Sequence, residues 1–326
     1  MGVDVKTQNM LRDIAETALE PVVLRGAIAD WPIVKKANQS SEQLSQYLSQ
    51  YAGNEALLAY FMEPQWQGRI GYQADFQGFN FESLKITVDQ LFEQLARCAE
   101  ADQKPTLYMG STNVDRWFPG LSDDNPLDFT SLPVLTNIWI GNQSIVSAHF
   151  DWPDNFACLV AGKRTFTLFP PEQLENLYIG PLDYTPAGPA ISLVDFDAPD
   201  FTKFPKFKTA LEHAQVFELN PGDVLFVPSM WWHHVKSHDD VNVLMNYWWK
   251  KSKAYLPTPM DSLNLSIMSL RSLSKEQKRM WLKMIEYYVM NDDFSHIPES
   301  SQGLLSDLSI DDARKYRSMI LNALNR

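Results

Sequence analysis

The stretch "HFDWPDNFACLVAGKRTFTLFPPE", His149–Glu172, holds two short β-rich runs, FACLVAG and RTFTLFPP, joined at Gly162-Lys163. Both are bounded by Pro, Asp or Gly, which is how short strands and tight turns read. In the second run Arg164, Phe166 and Leu168 fall on one face of the strand, so Arg164 is expected to point inward with them. Similar runs flank this stretch. TLYMG and TNIWIG precede it, and QVFEL, DVLFVP, WWHHVKS and VNVLMNYWW follow it. Many short strands with turn signals between them describe a sandwich or barrel over about residues 106–249. One long irregular segment, Glu172 to Lys208, rich in Pro, Asp and aromatics, interrupts the pattern, and loops of that length are usually functional.

The same stretch opens with His149 and Asp151, one residue apart. On a strand, residues i and i+2 project to one face, so two metal ligands would stand side by side. The pattern is short, and a lone strand histidine is more often a satisfied polar residue than a ligand. A third ligand decides the matter. Three of the six histidines cluster in "PSMWWHHVKSHDD": His233, His234 and His238. Two histidines and one carboxylate on a β scaffold match the facial set of non-haem Fe(II) oxygenases, which leaves the opposite positions open for cosubstrate and O2.

Composition narrows the alternatives. The 326 residues are 45% hydrophobic and include ten tryptophans, enough for a substantial core. The net charge of −12 and the lack of a Lys/Arg run disfavour nucleic acid as a partner. Two cysteines far apart, Cys98 and Cys158, suggest neither a disulfide framework nor a zinc knuckle. The polar opening MGVDVKTQNMLRDIAETALE reads as neither signal peptide nor myristoylation site, and no apolar run reaches membrane-spanning length. The expectation is a cytoplasmic protein with no membrane association.

Helical signals flank the β region. Before it, Leu44, Tyr47, Leu48 and Tyr51 follow serine caps, and Thr87 with Gln90 forms a capping box ahead of Val88, Leu91, Phe92 and Leu95. After it, Ser274 with Gln277 and Ser309 with Asp312 open two amphipathic helices. Their stripes are Trp281, Met284, Ile285, Tyr288, Val289 and Ala313, Tyr316, Ile320, Leu324. The expected organisation is an α/β flank over 1–105, a β core over 106–256 and a helical region over 257–326. The aromatic and Met-rich stripes are expected to pair two copies into a homodimer.

Four ordered motifs, PVVLRGAIADWP, HFDWPDNFACLVAGKRTFTLFPPE, LVDFDAPDFTKFPKF and NPGDVLFVPSMWWHHV, resemble the JmjC/cupin-like hydroxylases, the asparaginyl hydroxylases among them, from about residue 20 to 250. The resemblance implies a mainly β fold with flanking helices, built on a double-stranded β-helix (jelly-roll) core. It implies a dioxygenase using Fe(II), 2-oxoglutarate and O2 to hydroxylate a protein or peptide substrate. His149 and Asp151 match its first two metal ligands, and spacing from Pro228 selects His233 as the third. Asn155, Asn246 and Trp248 match residues bordering the cosubstrate, and Tyr108 one that bonds its far carboxylate.

Three departures stand out. Arg164 occupies the position of a carboxylate-binding lysine, with Lys163 beside it as an alternative. Arginine grips a carboxylate in bidentate fashion. Val146 replaces a threonine three residues before His149. Ala190 and Ile191 stand where the asparaginyl hydroxylases carry polar substrate-gripping residues, so the substrate does not transfer. Hydroxylation of a small molecule or RNA base, and a non-catalytic cupin binding module, are the competing readings. His234 is expected on the strand's other face, making a structural hydrogen bond.

Overall fold

The computed structural model describes residues 3–53, 55–186 and 188–326. The first unit, Met1–Lys250, holds the strands. They are β1 (Val22–Leu24), β2 (Leu57–Met62), β3 (Arg69–Ile70), β4 (Glu82–Ile86), β5 (Thr106–Asn113), β6 (Val134–Gly141), β7 (Ser144–His149), β8 (Asp154–Ala161), β9 (Arg164–Phe169), β10 (Gln215–Leu219), β11 (Val224–Val227), β12 (Trp232–Ser237) and β13 (Asn242–Trp249). They form an eight-stranded sheet, β1-β11-β8-β13-β6-β5-β2-β4, and a five-stranded sheet, β10-β9-β12-β7-β3. From β6 onward the chain alternates between the sheets, except that β9 and β10 pair directly. That alternation is a jelly roll, the double-stranded β-helix expected above.

Phe156 to Ala161 are all buried because β8 is covered on both faces. Phe156, Cys158 and Val160 enter a core with Trp31, Leu44, Leu48, Leu91 and Leu95. Ala157 and Leu159 face the barrel interior with Phe166, Leu168, Trp231 and Val235. β13 divides in the same way: Val243, Met245, Tyr247 and Trp249 join the outer core, and Leu244 the inner one. Fully burying such a side chain contributes about 1.5–3 kcal/mol, so strands loaded on both faces bind the N-terminal helices to the barrel. Those helices are α1 (Val5–Thr17), α2 (Pro32–Ala37), α3 (Ser41–Ser49) and α4 (Val88–Glu100). The Thr87/Gln90 capping box forms as the sequence indicates.

Short helices α5 (Val114–Trp117) and α6 (Leu121–Asp124) precede β6. The irregular segment after β9 begins with a 3-10 turn, Pro171–Asn176, and runs into α7 (Phe207–Glu212). Its order comes from side chains. Phe196, Phe201, Phe204 and Phe207 pack around Phe169 and Trp232.

The second unit, Lys251–Arg326, contains α8 (Pro259–Leu270), α9 (Lys275–Met290) and α10 (Ile310–Leu324). Each starts with a complete capping box: Thr258/Asp261, Ser274/Gln277 and Ser309/Asp312. Phe294 and Ala313 are buried, whereas Trp281, Met284, Ile285, Tyr288, Val289, Ile320 and Leu324 are exposed. Among the described residues no helix is long and apolar enough to cross a membrane.

The β8–β9 turn depends on Gly162. Its φ is +75°, and a Cβ there would collide with the Asn242 side chain and lie 2.7 Å from the Val241 carbonyl oxygen. Gly26 also has positive φ, +64°, but nothing lies within 4 Å of its Cβ position. Gly162→Ala is therefore expected to lose more stability than Gly26→Ala, by about 1–3 kcal/mol. Urea unfolding of the two variants checks this, and equal losses would contradict the described turn packing.

Candidate metal centre

β7 and β12 are antiparallel neighbours, and their register sets His149 opposite His233. From His233 to Val235 β12 advances two residues, while β7 advances three, from His149 back to Val146. The extra residue is a bulge at Ser147-Ala148, the device that re-aims a side chain next to a site. Val146 and His149 consequently both face the interior cavity. Alternation along one strand places His149 and Asp151 together, but β7 ends at His149 and Asp151 lies in the loop beyond. That loop is tied to the turn leading into β12. The Met230 amide donates to the Asp151 carbonyl (2.9 Å), the Ser229 amide to the Asp154 carboxylate (2.9 Å), and the Ser229 hydroxyl to the Trp152 carbonyl (2.6 Å). Met230 adopts φ +68° in this turn.

One ligand atom from each of His149, Asp151 and His233 lies within 4.8 Å of the others. The imidazoles are 4.2 Å apart between centroids, and His233 Nε2 is 3.5 Å from Asp151 Oδ2. In both rings Nδ1 faces the carbonyl oxygen two residues back, Ser147 at 2.9 Å and Trp231 at 3.0 Å. An Nδ1–H donated there leaves the Nε2 lone pair free, the arrangement in which metal-ligating histidines are usually held. The His233 Nε2 and the Asp151 carboxylate thus face each other, with His149 beside them, around a single point. Burial, followed by the neighbouring His233, pushes the His149 pKa down to about 4, so its lone pair is available at neutral pH. Burial opposes the charge on Asp151, but the hydrogen bond from His233 and the fields of both imidazoles outweigh it and hold the carboxyl below its usual range. Two imidazole nitrogens and one carboxylate oxygen are a donor set suited to a divalent transition metal.

Tyr108, Asn155, Arg164, Asn246 and Trp248 line the same cavity as the three ligands. Arg164 is buried beside Phe166, as its face on β9 requires, whereas Lys163 is exposed on the turn. The Arg164 Nε has no hydrogen-bond partner. Burial pulls its pKa down to about 10, partly opposed by Tyr108, so it remains a cation at neutral pH. Burial pushes the Tyr108 hydroxyl well above its usual range, keeping it a neutral donor. Asn155 Oδ1 and Trp248 Nε1 are likewise buried and unpartnered. These groups have desolvation costs unmet by the protein, which a bound polar molecule would satisfy. A small dianion fits them, since a buried guanidinium without a partner stands in the same cavity as the three metal-ligand candidates.

Trp139 on β6 lines the cavity and escaped sequence reasoning. Its Nε1 donates to Asn246 Oδ1 at 2.9 Å, and its ring meets Trp248 edge-on at 6.3 Å. The available signal was its place between the core residues Ile138 and Ile140, which gives it the opposite face. His234 does lie on the outer face of β12, but not as a hydrogen-bonding residue. Its Nε2 is buried without a partner, and the ring stacks on Phe196 at 4.4 Å. The surrounding aromatic cluster offers that position ring faces and no acceptor. His238 is exposed, with Nε2 2.7 Å from the Thr165 hydroxyl.

Residues 8–255 match the cupin-like domain family. The chain is 25% identical over 300 residues to HSPB1-associated protein 1 of Rattus norvegicus, covering 86% of this chain and 59% of that protein. It is 28% identical over 279 residues to Lysine-specific demethylase JMJ31 of Arabidopsis thaliana, covering 75% and 49%. It is 27% identical over 263 residues to tRNA wybutosine-synthesizing protein 5 of Gallus gallus, covering 76% and 75%. The chain thus spans about half to three-quarters of these relatives' lengths. With a jelly roll that carries its three convergent ligands at the ends of β7 and β12, and a family match over three-quarters of its length, the chain belongs to the cupin-like/JmjC family.

Proposed function

We propose that this chain is an Fe(II)- and 2-oxoglutarate-dependent oxygenase that hydroxylates a side chain of a protein or peptide, releasing succinate and CO2. The observation that carries the reading is the convergence of His149, Asp151 and His233 in one cavity with an unpaired, buried Arg164. Bound Fe(II) and 2-oxoglutarate supply O2 activation coupled to oxidative decarboxylation, chemistry that protein side chains do not provide. His149, Asp151 and His233 would hold the metal. Arg164 and Tyr108 fix the far carboxylate of the cosubstrate. Asn155 and Asn246 orient it through amide hydrogen bonds, and Asn246 is itself oriented by Trp139. Trp139, Trp248 and Phe166 wall the cavity and exclude water from the reacting groups.

The net charge of −12 favours a protein substrate over a polyanion. The name of the chicken relative, a tRNA wybutosine-synthesizing protein, favours a second reading, hydroxylation of a base in RNA. Succinate release on addition of Fe(II) and 2-oxoglutarate tests the reaction. A search for +16 Da products in protein and in RNA, from cells with and without this chain, separates the substrates.

Three outcomes follow from these assignments. Arg164→Ala is expected to raise the apparent KM for 2-oxoglutarate about tenfold or more, with metal affinity nearly unchanged, because a charge-assisted pair contributes about 1.5–3 kcal/mol. Steady-state kinetics at fixed Fe(II) read this out, and an unchanged KM would remove Arg164 from the binding role. His233→Ala should abolish succinate formation even at high Fe(II), while His234→Ala should retain it with some loss of thermal stability. The reverse pattern would show that the other face of β12 supplies the ligand. Finally, the exposed apolar stripe of α9, with Ile320 and Leu324 of α10, supports a homodimer formed through the C-terminal helices. Light scattering at micromolar concentration should return twice the 37.3 kDa chain mass; a monomeric mass rejects it.

A further inference from the structure

Gly110 sits in the middle of β5, where neither its φ nor a steric clash requires glycine. Its φ lies outside the left-handed region. A Cβ there would meet Tyr108 at 3.4 Å, Trp139 at 3.8 Å and Tyr60 at 4.0 Å, all ordinary contacts with side chains. Glycine in a strand interior costs stability and often marks a bulge or the close approach of a ligand. The local pairing shows the bulge. From Met109 to Thr112 β5 takes three steps against two on β6, so Gly110 and Ser111 bulge together opposite Trp139.

Gly110 lines a cavity of about 270 Å³ whose larger walls are Leu58, Tyr60, Tyr108, Trp139 and Pro186, with Ser111 and Thr112 beside Gly110. It shares Tyr108 and Trp139 with the cavity holding the three metal ligands. Leu58 and Tyr60 present an apolar face where β2 would ordinarily turn polar side chains to solvent, and Leu58 is 49% exposed. The Thr112 hydroxyl is already used, donating to the Gly110 carbonyl at 2.8 Å. Among the described residues no charged side chain lines this space. With no cation there to pair a phosphate, three aromatic walls favour an aromatic guest packed edge to face.

We infer that Gly110 opens a side pocket that receives an aromatic side chain of the peptide substrate, next to the position being oxidised. The inference rests on the oxygenase reading for the identity of that substrate, while the pocket itself needs neither metal nor cosubstrate. Gly110 is then a specificity-determining position: a larger residue there closes the pocket from the β5 side, and a larger residue at Leu58 closes it from β2.

The test titrates 4-fluorotoluene, a mimic of an aromatic side chain, into the full chain without added metal or 2-oxoglutarate, followed by 19F NMR. Wild type should show saturable binding. Gly110→Ala should bind within about twofold, since its methyl meets only ordinary contacts, and Gly110→Leu about tenfold or more weaker. Leu58→Trp, at an exposed wall, is the second variant; it should weaken binding comparably even if Gly110→Leu does not fold. No saturable binding by wild type, or wild-type affinity in a folded Gly110→Leu or Leu58→Trp, overturns the inference. Saturable adenosine binding lost in these variants, with none for 4-fluorotoluene, would assign the pocket to a base and also overturn it. Absence of succinate formation by wild type would instead count against the oxygenase reading and leave the binding result standing.

Discussion

The pairing of β7 with β12 is the constraint on which the site depends. It sets His149 directly opposite His233, and the one-residue bulge on β7 turns His149 into the interior. The loop beyond β7 is then bonded to the turn before β12 by Met230 and Ser229, which brings Asp151 to the same place. Neither histidine can move without breaking a backbone bond at its Nδ1. The rest of the barrel supports this pairing. β9 flanks β12 on its other side and carries Arg164 into the interior, while β8 and β13 bring Asn155, Asn246 and Trp248 from the opposite sheet.

The energetics are those of a site built to be completed. A buried guanidinium with an unpartnered nitrogen and two unpartnered amide or indole atoms are each costly to an isolated protein. Their concentration in one cavity is consistent with the general observation that proteins depart from full internal satisfaction where they bind or react. The large apolar cores on both faces of β8 and β13 offset that cost. Placing the cavity between two rigid sheets keeps its side chains oriented without a ligand.

Much of this was legible in the sequence because it is local or periodic. Capping boxes at Thr87, Ser274 and Ser309 depend on three residues of separation, and all form. Alternation placed Arg164 with Phe166 and separated His233 from His234. What alternation could not show is where it fails. The bulge at Ser147-Ala148 arises from pairing with β12, far along the chain, so no local pattern signals it. Asp151 joins His149 through loop bonds to residues almost eighty positions away rather than through a shared strand. The stacking of His234 on Phe196 likewise depends on how the long segment after β9 folds back.

The central claim is that this cavity takes a metal through His149, Asp151 and His233, and a keto acid whose far end meets Arg164. A crystal structure of the chain with Mn(II) and 2-oxoglutarate, grown without O2, tests it most directly. The account predicts metal bonded to Nε2 of both histidines and to the Asp151 carboxylate, with the distal carboxylate paired to the Arg164 guanidinium. Metal held by other side chains, or an Arg164 left without a carboxylate partner, would contradict it.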